Sequence, residues 1–230
     1  MKILVTGAHG FIGKWVMREL EMNEYTAVPF QGDVRDKGTF PEGPFEVIIH
    51  LASLITHRQG HCADDLHDVN VQGTRNLLEA YPKAKMVYIS TTDVLRSQLS
   101  EYAKTKLEAE KFVQNQMDYL IIRLPSVFGP EQRQLKLIPL LFERYCRGGQ
   151  CAIHNNDLRE YIHVEDTARK IVADLNLTGI VTYEGFKIRN YDLEKMIRAA
   201  SLNLSYSCVT SEEEYFFSRF KEYALVCSRK

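Results

Sequence analysis

Along this chain, short runs of consecutive apolar residues alternate with stretches in which apolar residues recur every three or four positions. The runs at 2–6, 26–30, 46–51, 86–90 and 119–124 are rich in Val, Ile and Leu, the pattern of strands buried on both faces of a parallel sheet. Helical spacing fills 11–22, 65–80 and 100–115, as in Phe11, Ile12, Trp15, Val16 and Leu20 of the first stretch. Such alternation predicts an α/β fold with helices on both faces of the sheet and ligands at the carboxyl ends of the strands. Past Pro125 the pattern is mixed, with helices expected over 138–147, 167–175 and 191–200. The segment Tyr215–Phe220 reads as a helix that packs the lobe or faces a partner. With no repeat or linker in sight, residues 1–125 read as the sheet part and 126–230 as a smaller lobe.

Composition adds mainly exclusions. The 230 residues are 26% charged and 45% hydrophobic, an ordinary globular balance, and a formal net charge of -1 exerts no pull toward nucleic acid or an anionic membrane. No apolar run approaches a membrane span, and the amino terminus enters a strand at once, so a cytoplasmic protein without a signal peptide is expected. Cys62, Cys146, Cys151, Cys208 and Cys227 are scattered and read as reduced thiols. His57, His61, Cys62, Asp64, Asp65 and His67 lack a second ligand pair of recognisable spacing, so a solvated loop is expected there and no metal.

Two segments carry chemistry. Gly7, Gly10 and Gly13 follow the first strand and open the first helix, where glycines permit a tight turn and the helix start offers unpaired N–H groups to a pyrophosphate. Tyr102 and Lys106 stand four residues apart on a helix and so share a face. A tyrosine that works as a base near neutral pH needs a fixed positive charge beside it, and a lysine one turn on is placed to provide it.

With these segments in hand, the chain resembles the extended short-chain dehydrogenase/reductase family, in its nucleotide-sugar epimerase and dehydratase branch. The matches run in order: Gly7-Ala-His-Gly-Phe-Ile-Gly13, Gly32-Asp-Val-Arg-Asp36, Val47-Ile-Ile-His-Leu-Ala-Ser53, Asn70-Val-Gln-Gly-Thr, Val87-Tyr-Ile-Ser-Thr-Thr-Asp-Val94, Ser100 to Lys106, Ile121 to Pro130, and Arg159-Glu-Tyr-Ile-His-Val-Glu-Asp. The resemblance implies a Rossmann-type doubly wound parallel sheet with a small mixed carboxyl-terminal substrate lobe. It implies a dinucleotide held by Gly7, Gly10, Phe11, Ile12, Gly13, Asp33, Val34, Leu51, Ala52, Ser53, Asn70, Tyr102 and Lys106. Asp33 and Val34 take the adenine in that scheme, Leu51 to Ser53 belong to the family's fourth-strand motif, and Asn70 steadies the active site.

The same resemblance implies catalysis by Thr91, Tyr102 and Lys106, with Tyr102 kept at or near phenolate by Lys106 and the nicotinamide charge. Thr91, Ser126 and Arg159 would contact a nucleotide-diphosphate sugar, Arg159 through its diphosphate. The expected reaction is C4 epimerisation through a transient 4-keto sugar with NAD, NADP being the other cofactor considered. The alternatives are a 4-ketoreductase using NADPH and a non-catalytic dinucleotide-binding module. Dehydratases of this branch carry two acids after the catalytic threonine, where this chain has Thr92 and Asp93, and Asp93 equally suits a cap or turn. The segment 95–101 is short for the family, and Ser126 stands where many members have asparagine. A homodimer is expected through the helices at 70–80 and 102–115, with Leu77, Leu78, Leu107 and Phe112 either in that seam or in the core.

Overall fold

The computed structural model describes residues 1–55, 63–132, 136–151 and 153–227. The chain divides into two compact units: Met1–Pro125 with Asp166–Tyr183, and Ser126–Glu165 with Glu184–Lys230. His57, His61 and Cys62 lie outside the described residues, and among those described no group of His, Cys, Asp and Glu is placed to hold a metal ion.

The first unit opens with β1 (Lys2–Thr6), α1 (Phe11–Met22), β2 (Thr26–Pro29) and β3 (Val47–His50). A broken helix follows: α2 (Ala63–His67), a π turn at Asp68–Gln72, and α3 (Gly73–Ala80). Next come β4 (Lys85–Thr91), a 3-10 turn at Thr92–Leu95, α4 (Glu101–Gln114) and β5 (Tyr119–Leu124). In the second unit lie β6 (Ser126–Phe128), α5 (Leu137–Cys146) and β7 (Leu158–His163). Helix α6 (Val164–Ala173) leads back to β8 (Gly179–Thr182) of the first unit, and β9 (Phe186–Arg189), α7 (Asn190–Ser201) and α8 (Ser211–Cys227) complete the second.

The first unit's sheet has the order β2-β1-β3-β4-β5-β8, with every pair parallel. Because β8 pairs with β5 through Leu120–Arg123, residues 166–183 belong to this unit and not to the lobe expected from 126 onward. No strand lies among the described residues between β2 and β3, so the motif at Val47–Ser53 comprises the third strand of this chain, not a fourth, and the three residues after it. Leu4, Ile48, Met86, Tyr88 and Ile121 pack with Leu77 and Leu78 of α3 and Ala109 and Val113 of α4. The alternate residues Ile3, Val5, Ile49, Val87 and Ile122 are equally buried on the other face, which explains the continuous apolar runs. Leu77 and Leu78 are therefore core residues, while Leu107 and Phe112 stay partly buried, with the Arg75 guanidinium 5.0 Å from the centre of the Phe112 ring.

Strand order reverses direction at β1, since the chain steps from β1 outward to β2 and then returns to place β3 on β1's other side. In open parallel sheets the crevice at such a reversal is where ligands bind. In the second unit, β6 pairs parallel with β7 and β7 antiparallel with β9. Its core is aromatic, with Phe128, Phe142, Phe186, Phe216, Phe217, Phe220 and Tyr223 buried among α5, α7 and α8.

Candidate active site

The turn from β1 to α1 is shaped by its glycines. Gly7 adopts φ +66°, and a Cβ there would lie 2.7 Å from the Ala52 nitrogen, so no other residue fits this turn against the end of β3. Gly13 is packed more closely still: a Cβ would stand 2.1 Å from the Gly7 carbonyl oxygen. Gly10 differs. It is exposed and caps α1 without a side-chain hydrogen bond, and a Cβ there would meet only the Gly7 oxygen, at 3.0 Å, before entering open space. A helix start leaves its first N–H groups without intrahelical partners, here those of Phe11, Ile12 and Gly13, and the open face at Gly10 fits a pyrophosphate.

After β2, Asp33 and Val34 are held by their neighbours. The Arg35 guanidinium grips the Asp33 carboxylate at 2.6 Å, and the Arg35 backbone N–H donates to it at 2.9 Å, which holds the acid below its ordinary range. Val34 is buried against the start of α3, where a Cβ on Gly73 would come within 2.5 Å of the valine methyl. Asn76 fastens this loop by donating to the Val34 carbonyl at 3.0 Å.

Leu51, Ala52 and Ser53, partly buried, continue from β3. Asn70, 1% exposed in the π turn, organises them: its oxygen accepts from the Leu54 N–H at 2.8 Å and the Ser53 hydroxyl at 3.0 Å. Its amide group donates to the Leu54 carbonyl at 3.0 Å and to the Thr105 hydroxyl of α4 at 3.0 Å. One asparagine thus joins the loop after β3 to the helix that carries Tyr102 and Lys106.

Behind this loop runs a chain of buried polar groups. The Ala52 N–H donates to Thr6 Oγ1 at 3.2 Å, Thr6 Oγ1 lies 2.6 Å from His50 Nδ1, and His50 Nε2 lies 3.0 Å from Thr74 Oγ1. The single Thr74 hydroxyl proton goes to the Asn70 carbonyl at 2.7 Å, so His50 must donate from Nε2 and accept at Nδ1 from Thr6. Burial lowers the His50 pKa to about 3, with the nearby Lys106 charge adding to the effect, and keeps the ring neutral.

Thr91 ends β4. Its oxygen accepts from the Asp93 N–H at 3.2 Å and so caps the 3-10 turn, while the Asp93 carboxylate pairs with Arg96 at 2.7 Å. The capping role open to Asp93 falls to Thr91. On α4, capped by Ser100 through the Ala103 N–H at 3.2 Å, Tyr102 is partly buried and Lys106 only 2% exposed. The Lys106 ammonium sits 4.0 Å from the centre of the Tyr88 ring.

The expected phenolate is not what these surroundings favour by themselves. Burial pushes Tyr102 up to about 12, opposed by a hydrogen bond with Ser53 and reinforced by the Asp93 charge. Burial also pulls Lys106 down to about 7, opposed by Glu110. Desolvation outweighs the attraction that spacing alone suggested, because both groups sit against the sheet and not in water.

Ser126 and Arg159 belong to the second unit. Ser126 is an exposed first residue of β6, and Arg159 on β7 is 41% exposed, with Asp157 3.8 Å away. Among the polar residues that spacing did not single out are His50, Tyr88, Glu110 and Arg123. A visible signal existed for one of them: Glu110 falls on the buried side of α4, in line with Lys106 and Ala103, where a carboxylate is out of place.

Comparison with known proteins places the fold and the family. A ceramide reductase from Caulobacter vibrioides is 27% identical over 226 residues, spanning 86% of this chain and 69% of that protein. A putative UDP-glucose 4-epimerase from Methanocaldococcus jannaschii is 25% identical over 76% of this chain and 73% of its own length. Among solved structures, the Thermus thermophilus UDP-glucose 4-epimerase in complex with NAD superposes with a TM-score of 0.76 at 23% identity, covering 89% of this chain and 84% of that one. Residues 3–179, well over half the chain, match the NAD dependent epimerase/dehydratase family, and the chain belongs to that family.

Proposed function

We propose that this protein epimerises a nucleotide-diphosphate sugar at C4 through a transient 4-keto sugar, using NAD. The observation that carries the reading is the grouping at the carboxyl ends of the strands: Thr91 closing β4, and a partly exposed Tyr102 on the same helix as the buried Lys106. Gly7, Gly10, Phe11, Ile12 and Gly13 would hold the pyrophosphate. Asp33 and Val34 would take the adenine, with Leu51, Ala52, Ser53 and Asn70 lining the path to Tyr102 and Lys106. When bound, NAD supplies an acceptor for the hydride of C4 and its donor on return.

The remaining steps fall to the chain. Thr91 already accepts from the Asp93 N–H, so its own O–H is left to donate to the sugar oxygen. Tyr102 Oη, as phenolate, takes the C4 hydroxyl proton, stands as the neutral phenol while the sugar is a ketone, and gives the proton back; a protonated Lys106 favours the phenolate that begins and ends the cycle. With Lys106 titrating at about 7, its charge at neutral pH depends on what surrounds it. Asn70 fixes Ser53, which in turn bonds Tyr102. Ser126 and Arg159 are assigned to the substrate, Arg159 to its diphosphate. A homodimer through α3 and α4 would rest on Leu107 and Phe112, since Leu77 and Leu78 are buried within one chain.

The 4-ketoreductase reading draws on the short segment 95–101 and uses the same three residues with NADPH. One experiment separates the two. The purified protein is denatured, any released dinucleotide is identified, and UDP- and dTDP-hexoses are added to native protein while nicotinamide absorbance is followed. Co-purified NAD with transient reduction supports the epimerase. A protein that consumes NADPH only with 4-keto sugars refutes it in favour of the reductase, and silence with every sugar leaves the binding module.

A further inference from the structure

Glu110 lies on α4 one turn beyond Lys106 and is 0% exposed. A carboxylate survives in a protein interior only when other groups replace its water. The Ser90 hydroxyl donates to Oε1 at 2.5 Å, and Arg123 donates from Nε to Oε1 at 3.1 Å and from Nη2 to Oε2 at 2.6 Å. Ser90 directly precedes Thr91 on β4, and Arg123 lies on β5. A single carboxylate therefore ties the helix of Tyr102 and Lys106 to the strand that ends in Thr91. Apolar residues of matching volume often serve stability as well as a buried ion pair, so packing alone does not account for this cluster.

We propose that Glu110 is a positioning residue for the reaction: it fixes α4 on β4, holding Thr91 and Tyr102 in register, and it is the counter-charge of Lys106. The groups whose contact or charge reaches Lys106 are Glu110 of α4, Tyr88 of β4 and His50 of β3, with Arg123 of β5 reached through Glu110; Tyr102 stands one turn earlier on the same helix. Burial keeps His50 neutral and raises both tyrosines, which leaves Glu110, four residues along the same helix, as the negative charge that acts on the amine among the described residues.

The catalytic half of this proposal rests on the epimerase reading, but the charge half is measurable without substrate. In protein carrying carbon-13 at the lysine ε-carbon, the Lys106 signal is assigned by its loss in Lys106→Met and followed as pH is varied. Wild-type protein is expected to titrate near 7, and Glu110→Gln lower by about one pH unit or more. Glu110→Gln takes the carboxylate from a partly buried Arg123, so Glu110→Gln/Arg123→Met serves where the single variant fails to fold, and its midpoint also falls. With substrate, the alkaline limb of kcat moves down together with the midpoint, while KM changes little. A Lys106 midpoint that does not move in a folded variant overturns the proposal. A midpoint that moves in a protein inert toward every nucleotide sugar sustains the counter-charge and refutes the reaction instead.

Discussion

The two units bury different things. Inside the first lie Thr6, His50, Asn70, Thr74, Ser90, Thr105, Lys106 and Glu110, polar groups that answer one another across β1, β3, β4 and two helices. The second buries rings: Phe128, Phe142, Phe216 and Phe220, packed at centroid distances such as 5.1 Å for Phe128 and Phe220, with His163 and Asn190 as its buried polar residues among those described. A polar interior costs desolvation that an aromatic one avoids. The buried polar groups of the first unit are those next to Tyr102 and Lys106 on α4, the residues to which the proposed reaction is assigned.

The sharpest break of this contrast is a pair of substitutions. Tyr102→Phe is expected to lower kcat by about a thousandfold, within the range for loss of an acid/base group, while the thermal midpoint stays put. Phe220→Ala is expected to do the reverse of that in kind, costing about 3–5 kcal/mol of stability in urea unfolding by emptying the centre of the second core. A smaller effect follows from His50. Its folded-state pKa of about 3 lies below the unfolded value of 6.5, so the unfolded chain binds the extra proton and stability falls as pH drops through that window. The expected slope is about 1.4 kcal/mol per pH unit, and comparing urea unfolding of wild type and His50→Gln from pH 7.5 to 5 should show it flattened in the variant. The smallest effect belongs to the exposed Asp93–Arg96 pair, where Arg96→Ala should change stability by less than about 0.5 kcal/mol in the same assay.

The same contrast explains what the sequence made legible. The first unit's strands are continuous apolar runs and its helices keep their period, so β1, α1, β5 and α4 fall within a residue or two of where the pattern puts them. The expected helix at 65–80 is interrupted by the π turn at Asp68–Gln72, which presents Asn70 to the loop after β3, and no periodicity announces that. In β8, alternate exposure along only four residues at a sheet edge gives too short a run to stand out. The second unit's β6, β7 and β9 are short and carry charged or exposed positions such as Arg159, Glu160 and Lys187, which mask the apolar signal. At the site, the four-residue spacing shows Tyr102 and Lys106, and family resemblance adds Thr91. The partners of Glu110 and His50 come from other strands and helices, and long-range pairing of that kind leaves no trace in local spacing.

The central claim is that the first unit's groups invert C4 by removing and returning the same hydrogen. Its most direct test is to incubate the protein with UDP- and dTDP-hexoses deuterated at C4 and to read the product by NMR. The account predicts a C4 epimer that retains deuterium at C4 without net consumption of dinucleotide. An epimer that has lost the label to solvent, or a product formed only as added NADPH is consumed, would contradict it.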